Sequence, residues 1–432
     1  MSQSNRRNFL KVSGLAAGAA AVSSLGVSRS AYAEGAEKIK AVLIGCGGRG
    51  KGAANDFLQN EGTEIVAVAD AFENNAKNAM ETFKVPADKC FWGFDAFRKA
   101  LACDCQYVIL ATPPGFRPIH FKAAVEAGKH VFMEKPCCVD APGFNMLIDA
   151  CKMADEKNLK VGVGLQRHHE KAYLNGIKEI VDGKYGDILY TRVYWNGGGV
   201  WVRGRNPEWT EMEYQMRNWY YFNWLCGDNI CEQHVHNLDI GNWVMSVTNT
   251  ELYNMTDKYA HPVRVNAMGG REVRKGSVNY GEIYDHHFCE FEYADGRRMY
   301  SQCRHQPNTW NNVSESAIGS KGQGGVSSRG GGRNPYQQEH TDLIAAIKSG
   351  AKYNEGWLGA YSSMTAVLGR YASYSGQSIS WDDAVANGPA LMIYDGNDQL
   401  TMQSEAPVKP LAEPTETKEA YAIAVPGVWK PW

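Results

Sequence analysis

The chain has 432 residues, 44% of them hydrophobic and 21% charged, with a formal net charge of −2. That length exceeds what one ordinary core holds, so two domains are expected. The small net charge excludes a general attraction to nucleic acid or to anionic lipid.

Residues 1–33 read as an export signal to be set aside before fold reasoning. Asn5-Arg6-Arg7-Asn8-Phe9-Leu10-Lys11 resembles the twin-arginine motif, with Asn5 where Ser or Thr is usual. A weakly apolar Ala/Gly/Ser/Val run follows, too short and too rich in Gly and Ser to span a bilayer well. Ala31-Tyr32-Ala33 then offers a small-x-small cleavage pattern. The resemblance implies a periplasmic or otherwise exported protein that meets the twin-arginine export machinery. Proteins on that route fold in a reducing compartment, so the eleven cysteines are expected mostly as free, buried thiols.

From Ile39 strands alternate with helices. Strands are predicted at Ile39–Ile44, Glu64–Ala69, Tyr107–Ala111, His130–Met133 and Lys160–Gly164. Helices are predicted from the glycine-rich turn to about Gln59, then at Asn74–Phe83, Phe94–Ala102, His120–Ala127 and Asn145–Glu156. Such alternation means an α/β, doubly wound parallel sheet, a Rossmann domain assigned to 38–164. The texture then changes, and 165–397 is expected as an α+β domain with an open, largely antiparallel sheet. Its strands include Ile188–Trp195 and a hairpin of His286–Tyr293 with Arg297–Arg304 across Asp295-Gly296. Its helices are expected at Tyr173–Asp182, Asn229–Met245, Glu339–Ser349 and Gly356–Tyr374. Gly319–Gly332 reads as a mobile loop, and the Pro-rich tail 398–432 as a surface segment.

Gly45-Cys46-Gly47-Gly48-Arg49-Gly50 places G-x-G-x-x-G between the first strand and its helix. Gly45 permits the tight turn, Gly47 lets the backbone approach a pyrophosphate, and Gly50 allows close helix–strand packing. The helix N-terminus, with Gly48 and Arg49, favours the phosphate charge. Asp70 ends the second strand about twenty residues on, where a carboxylate bonds ribose hydroxyls and repels a 2′-phosphate, which favours NAD.

Ala111-Thr112-Pro113-Pro114, His120 and Ala127-Gly128-Lys129-His130-Val131-Phe132-Met133-Glu134-Lys135-Pro136 resemble the fingerprint of the Gfo/Idh/MocA oxidoreductases. A second signature at Glu232-Gln233-His234-Val235-His236-Asn237-Leu238-Asp239 looks like the family's helix bearing the catalytic histidine, with Glu232 for the usual Asp and His234 for the usual Gly. The resemblance covers roughly Ile39 to Tyr374. It implies that Lys135 lies beside the nicotinamide and the reacting hydroxyl, that His236 is the general acid/base and that Glu232 is its acidic neighbour. It extends the cofactor contacts to Thr112, Pro113, His120, Glu134, Lys135 and Gln166. By analogy it also implies a homo-oligomer.

The chemistry suits a sugar, sugar-derivative or cyclitol hydroxyl. Histidine takes a proton near neutral pH, and a lysine stabilises developing alkoxide charge. On one helix Glu232 and His236 lie a turn apart, and Asp239 is an alternative partner for the ring. Arg167, Tyr173 and Asp239 are substrate candidates. No metal is expected, although Glu232, His234 and His236 offer ligand types. The aromatic run Trp219, Tyr220, Tyr221, Phe222 and Trp224 reads first as core or subunit interface. Export implies a tightly bound cofactor, because the periplasm holds little free NAD. Either one sugar is oxidised and another reduced, or a glycoside is cleaved through transient oxidation, elimination, hydration and re-reduction.

Overall fold

The computed structural model describes residues 38–247, 255–275, 279–411 and 420–432, and Ile39–Trp432 forms one compact unit. The export-signal reading of 1–33 lies outside the described residues. Among them the first sheet has six strands, all parallel, in the order β3-β2-β1-β4-β5-β6. These are β1 Ile39–Ile44, β2 Thr63–Asp70, β3 Cys90–Trp92, β4 Tyr107–Leu110, β5 His130–Met133 and β6 Val161–Val163. Every residue of β4 is buried, as a strand covered on both faces requires. Helices α1 Gly48–Leu58, α2 Glu73–Phe83, α3 Ala96–Leu101, α4 Arg117–Glu126 and α5 Ala141–Glu156 supply the cover.

α5 begins four residues before the predicted start. The Asp140 carboxylate accepts from the Gly143 amide at 2.8 Å, and Pro142 fits a first helical turn, so cap chemistry sets this end. The short β3 escaped prediction because three residues are too few to show a period.

A second sheet runs β12-β11-β7-β10-β9-β8-β13, mixed and mostly antiparallel, with β7 and β10 the parallel pair. After α6 Lys171–Val181 comes β7 Ile188–Gly197. Short helices α7 Glu211–Arg217, α8 Asn223–Cys226 and α9 Asn229–Glu232 then lead to α10 Val235–Ser246. The remaining strands are β8 Arg264–Gly270, β9 His286–Glu292, β10 Arg298–His305, β11 Asn312–Gly319, β12 Gly322–Gly325 and β13 Ile379–Ser380. The β9–β10 hairpin is antiparallel, as Asp295-Gly296 predicts. α12 Gly356–Ser375 is almost wholly buried, and α13 Trp381–Asn387 follows β13.

Three expectations are corrected. The stretch read as one helix over Asn229–Met245 is two helices, because the chain breaks at Gln233 and His234. There the Gln233 and His234 amides both reach the Asn229 carbonyl, at 3.0 and 3.1 Å. The glycine-rich segment after Gly319 contains β12, paired with Ser316–Gly319. Its glycines are needed, since a Cβ on Gly324 would stand 2.2 Å from the Tyr185 hydroxyl. The tail enters a core of its own, in which Ala406, Ala420 and Tyr421 are buried with Met212, Tyr214, Phe222 and Trp224. Finally, α11 Pro335–Ser349 crosses back to the first sheet, where Leu343 and Ile344 pack with Ala53 and Phe57, and His340 meets the Tyr107 hydroxyl at 2.9 Å. Ten of the eleven free cysteines are buried and Cys103 is partly so.

Candidate active site

Asp70 ends β2, and the loops after β1, β4, β5 and β6 carry Gly45, Thr112, Glu134 and Gln166, so these residues gather at one end of the parallel sheet. A cavity of about 740 Å³ opens there. Its floor includes Gly45, Gly47, Gly48, Arg49, Gly50, Asp70, Thr112, Pro113 and His120. Gly45 has φ +96°, and a Cβ on it would lie 2.5 Å from the Ala111 carbonyl carbon. A Cβ on Gly50 would lie 1.8 Å from the Gly45 oxygen. Gly47 and Gly48 have open space where a side chain would be. The turn, the exposed backbone and the close packing are thus divided among the glycines as the spacing predicts. This bare cradle at the start of α1 fits a dinucleotide's phosphates.

Asp70 is fixed by its neighbours. Its carboxylate accepts from the Cys46 amide at 2.7 Å, the Phe72 amide at 2.8 Å and the Asn75 side chain at 3.2 Å. Burial pushes its pKa up, and the two backbone amides oppose that push. Oδ1 accepts from both Phe72 and Asn75, and Oδ2 from Cys46 alone, so Oδ2 retains acceptor capacity. Thr112 and His120 are joined at 3.2 Å. Burial, aided by Arg117 and Arg98, pushes His120 down to about 3, so it is a neutral wall.

Arg49 and Glu134 are turned toward each other. The Arg49 Nε donates to Glu134 Oε1 at 2.5 Å, its Nη2 lies 3.5 Å from Glu339, and its guanidinium stacks over Tyr336 at 4.8 Å. This ties the glycine turn to the Glu134-Lys135-Pro136 segment and to α11. Glu134 therefore positions Arg49 beside the glycine turn.

The Lys135 Nζ donates to the Glu232 backbone oxygen at 2.5 Å and to Glu232 Oε1 at 3.0 Å, and both side chains are 13% exposed. A lysine has three donors, so one is left for a substrate oxygen. Glu232 thus pairs with Lys135, because the break after α9 takes it off the helix that carries His236. The expected Glu232–His236 stacking along one helix is corrected accordingly.

His236 sits in the first turn of α10, buried, with Trp195 stacked 6.1 Å away. Among the described residues its Nδ1 has no hydrogen-bond partner, and neither has the buried Gln166 Oε1. Burial pushes the imidazole well below its ordinary pKa, and the charges of Lys135, Arg167 and Arg49 push further. It is therefore held as a neutral ring.

The other candidates divide. Arg167 and Tyr173 converge on Glu315 of β11, at 2.5 and 2.9 Å, and Asn237 also donates to that carboxylate. Asp239 is corrected as a substrate or ring partner. It is buried and taken up by His168 at 2.6 Å, Tyr259 at 3.0 Å and Ser362 at 2.8 Å. His234 points away from the site to Ser301 at 2.8 Å, so it adds neither a ligand nor a pocket wall. Among the described residues no three His, Cys, Asp or Glu side chains are grouped as metal ligands.

Reasoning from sequence missed the cavity's opposite wall, formed by Trp201, Arg203, Trp209, Met216, Arg217 and Trp219. It also missed Glu315. Of the aromatic run, Tyr220, Tyr221, Phe222 and Trp224 are core, and Trp219 lines the cavity.

Comparison with known proteins matches residues 39–165 to the Gfo/Idh/MocA family, described as an oxidoreductase family with an NAD-binding Rossmann fold. An inositol 2-dehydrogenase/D-chiro-inositol 3-dehydrogenase of Halalkalibacterium halodurans is 35% identical over 150 residues, 34% of this chain and 38% of that one. A glycosyl hydrolase family 109 protein of Shewanella sp. (strain ANA-3) is 27% identical over 210 residues, 44% of this chain and 45% of that one. The chain thus spans less than half the length of each of these two relatives. The structure of a scyllo-inositol dehydrogenase from Lactobacillus casei, with bound NAD(H) and scyllo-inositol, shares the fold at TM-score 0.59. It is 17% identical, and the match covers 80% of this chain and all of that one.

Proposed function

We propose that this chain is a Gfo/Idh/MocA-type, NAD-dependent oxidoreductase acting on a hydroxyl of a sugar, sugar derivative or cyclitol. The observation that carries the reading is the Lys135–Glu232 pair beside a neutral, buried His236, at the sheet end that also bears the glycine cradle. Gly45, Gly47, Gly48 and Gly50 would take the pyrophosphate, and Asp70 the ribose hydroxyls. NAD, when bound, supplies the two-electron acceptor.

The chain's own groups handle oxygen and proton. Lys135, held by Glu232, directs its remaining donor at the substrate oxygen and stabilises negative charge there. His236 would receive the hydroxyl proton at a ring nitrogen, a role supported by its burial against Trp195. Gln166 offers a buried acceptor to the substrate or cofactor.

Arg6-Arg7 and Ala31-Tyr32-Ala33 support export through the twin-arginine route, and with it a cofactor that stays bound and is regenerated on the protein. A second reading, glycoside cleavage through transient oxidation and re-reduction, is favoured by the family 109 relative. Native mass spectrometry of the purified chain, followed by a sugar and cyclitol panel read at the nicotinamide band, tests both. Co-purified NAD with substrate-dependent reduction supports the first. Release of reducing sugar from nitrophenyl glycosides without net NADH supports the second, and neither response to any compound removes both.

A further inference from the structure

The cavity's second wall is a separate construction. Trp201, Arg203, Trp209, Met216, Arg217 and Trp219 all come from the excursion between β7 and α8, and they face the glycine cradle across the cavity. The excursion rests on its own aromatic core with the C-terminal segment.

Polar contacts fasten it. Tyr421 donates to Glu211 at 2.6 Å, and Arg205 binds Glu211 at 2.9 Å while stacking on Tyr214 at 4.1 Å. Thr210 donates to the Met402 carbonyl and Gln215 to that of Val408. The tail is in turn anchored to the first sheet's helices. Asp398 pairs with Arg98 at 2.8 Å, and Asp140 at the start of α5 accepts from the Leu391 amide at 2.7 Å.

Two cations stand in this wall. Arg217 is committed, bound to Glu213 at 2.8 Å and stacked on Phe72 and Trp209 at 4.3 and 4.8 Å. Arg203 stacks on Trp201 at 5.4 Å and, among the described residues, has no ion pair. It is exposed, so the tail's strapping brings an uncommitted guanidinium to a cavity whose other side is bare backbone at a helix start.

We propose that the 198–222 excursion, strapped by the C-terminal segment, is a fixed roof that retains a dinucleotide in the cleft, with Arg203 countering its phosphate charge. This rests on the reading of the cleft as a dinucleotide site. It adds residues that the G-x-G-x-x-G cradle does not include, and it accounts for retention without requiring any moving part. The guanidinium presents paired donors suited to phosphate oxygens, and a lysine would supply charge without that fork.

The test uses full-length protein and measures NAD release directly, by displacement of bound NADH fluorescence with excess NAD in stopped flow. Arg203→Ala is expected to speed release at least tenfold, with Arg203→Lys between it and the wild type. Tyr421→Phe, which loosens the strap while keeping the ring, is expected to speed release severalfold. Unchanged melting of the Arg203 variants would show that the exposed site was altered without unfolding. Wild-type protein that binds NADH but releases it as fast as Arg203→Ala overturns the roof and leaves the cofactor reading standing. Wild-type protein that binds no NADH overturns the cofactor reading and the roof with it.

Discussion

The glycine cradle and the Lys135–Glu232–His236 cluster, whose residues do not line the cavity over the cradle, are made differently. The cradle is backbone: a turn, a helix start and glycines whose missing side chains define the space, all within a few residues of Gly45. The reactive end is side chain, and it joins Lys135 to Glu232, 97 positions apart, with His236 on a helix that begins only after a break. A cradle of the first kind is local and tolerates little change in its glycines. A centre of the second kind depends on how two sheets pack, and its members are expected to be separable from cofactor binding.

That separation gives the largest expected effect. His236→Asn should lower kcat by about 10²–10⁴-fold, the range for a lost acid/base group. Lys135→Ala should lower it by about 10²–10³-fold, as for a lost donor to developing charge. In both variants the Kd for NAD should stay within a few-fold of wild type, measured by fluorescence titration. Parallel loss of binding would mean the two ends are one site.

Within the cradle, Gly50→Ala and Gly48→Ala should diverge. The first drives a Cβ into the Gly45 carbonyl and should lower stability by about 1–3 kcal/mol, with loss of binding, because overpacking forces the backbone apart. The second meets open space and should melt within about 2–4 °C of wild type while weakening NAD affinity, read by calorimetry and titration. Equal melting of the two would contradict the assignment of turn and cradle roles.

A smaller effect is expected at the ribose end. Asp70→Ser should reduce the preference for NAD over NADP by roughly tenfold, the scale of one lost charge contact. An unchanged ratio would transfer cofactor choice to Arg217 or another group of the roof.

Protonation sharpens the comparison least per residue but touches both ends. His120 in the cradle, and His234 and His305 in the second sheet's region, are held at about 3, chiefly by burial. Each contributes stability that is complete above pH 6.5 and is lost as the pH falls from 6.5 toward 3, at about 1.4 kcal/mol per pH unit for a fully neutral-held ring. His169 runs the other way. Burial lowers it, but Glu355 and Asp342 outweigh that and raise it to about 10, so its contribution fades between pH 6.5 and 10. Melting temperature should therefore fall steadily on acidification below 6.5. A flat profile from 6.5 to 4.5 would contradict the buried, neutral histidines.

The same contrast governs what could be read from the sequence. β1, the glycine turn, Asp70 and β5 with Glu134-Lys135 were legible because local spacing and local chemistry coincide there. Arg49's engagement by Glu134 and Glu339 was not, since it depends on α11 returning from the far end of the chain. The helix period placed Glu232 with His236, and the break at Gln233–His234 undid it, because the Asn229 carbonyl gathers both amides. Asp239 looked available on a helical wheel, yet His168, Tyr259 and Ser362 reach it from three other segments. The roof was invisible for the same reason. Trp201, Arg203 and Trp209 carry no periodic signal, and long-range contacts, the tail's straps among them, bring them to the cavity.

The central claim is tested most directly by single-turnover absorbance at the nicotinamide band, with stoichiometric NAD on the full chain and sugars or cyclitols added one at a time. A rise is expected with at least one polyol, absent in Lys135→Ala while that variant still binds NAD. An NAD-loaded wild-type protein whose spectrum is unmoved by every polyol, or a Lys135→Ala variant that reacts as fast as wild type, would contradict it.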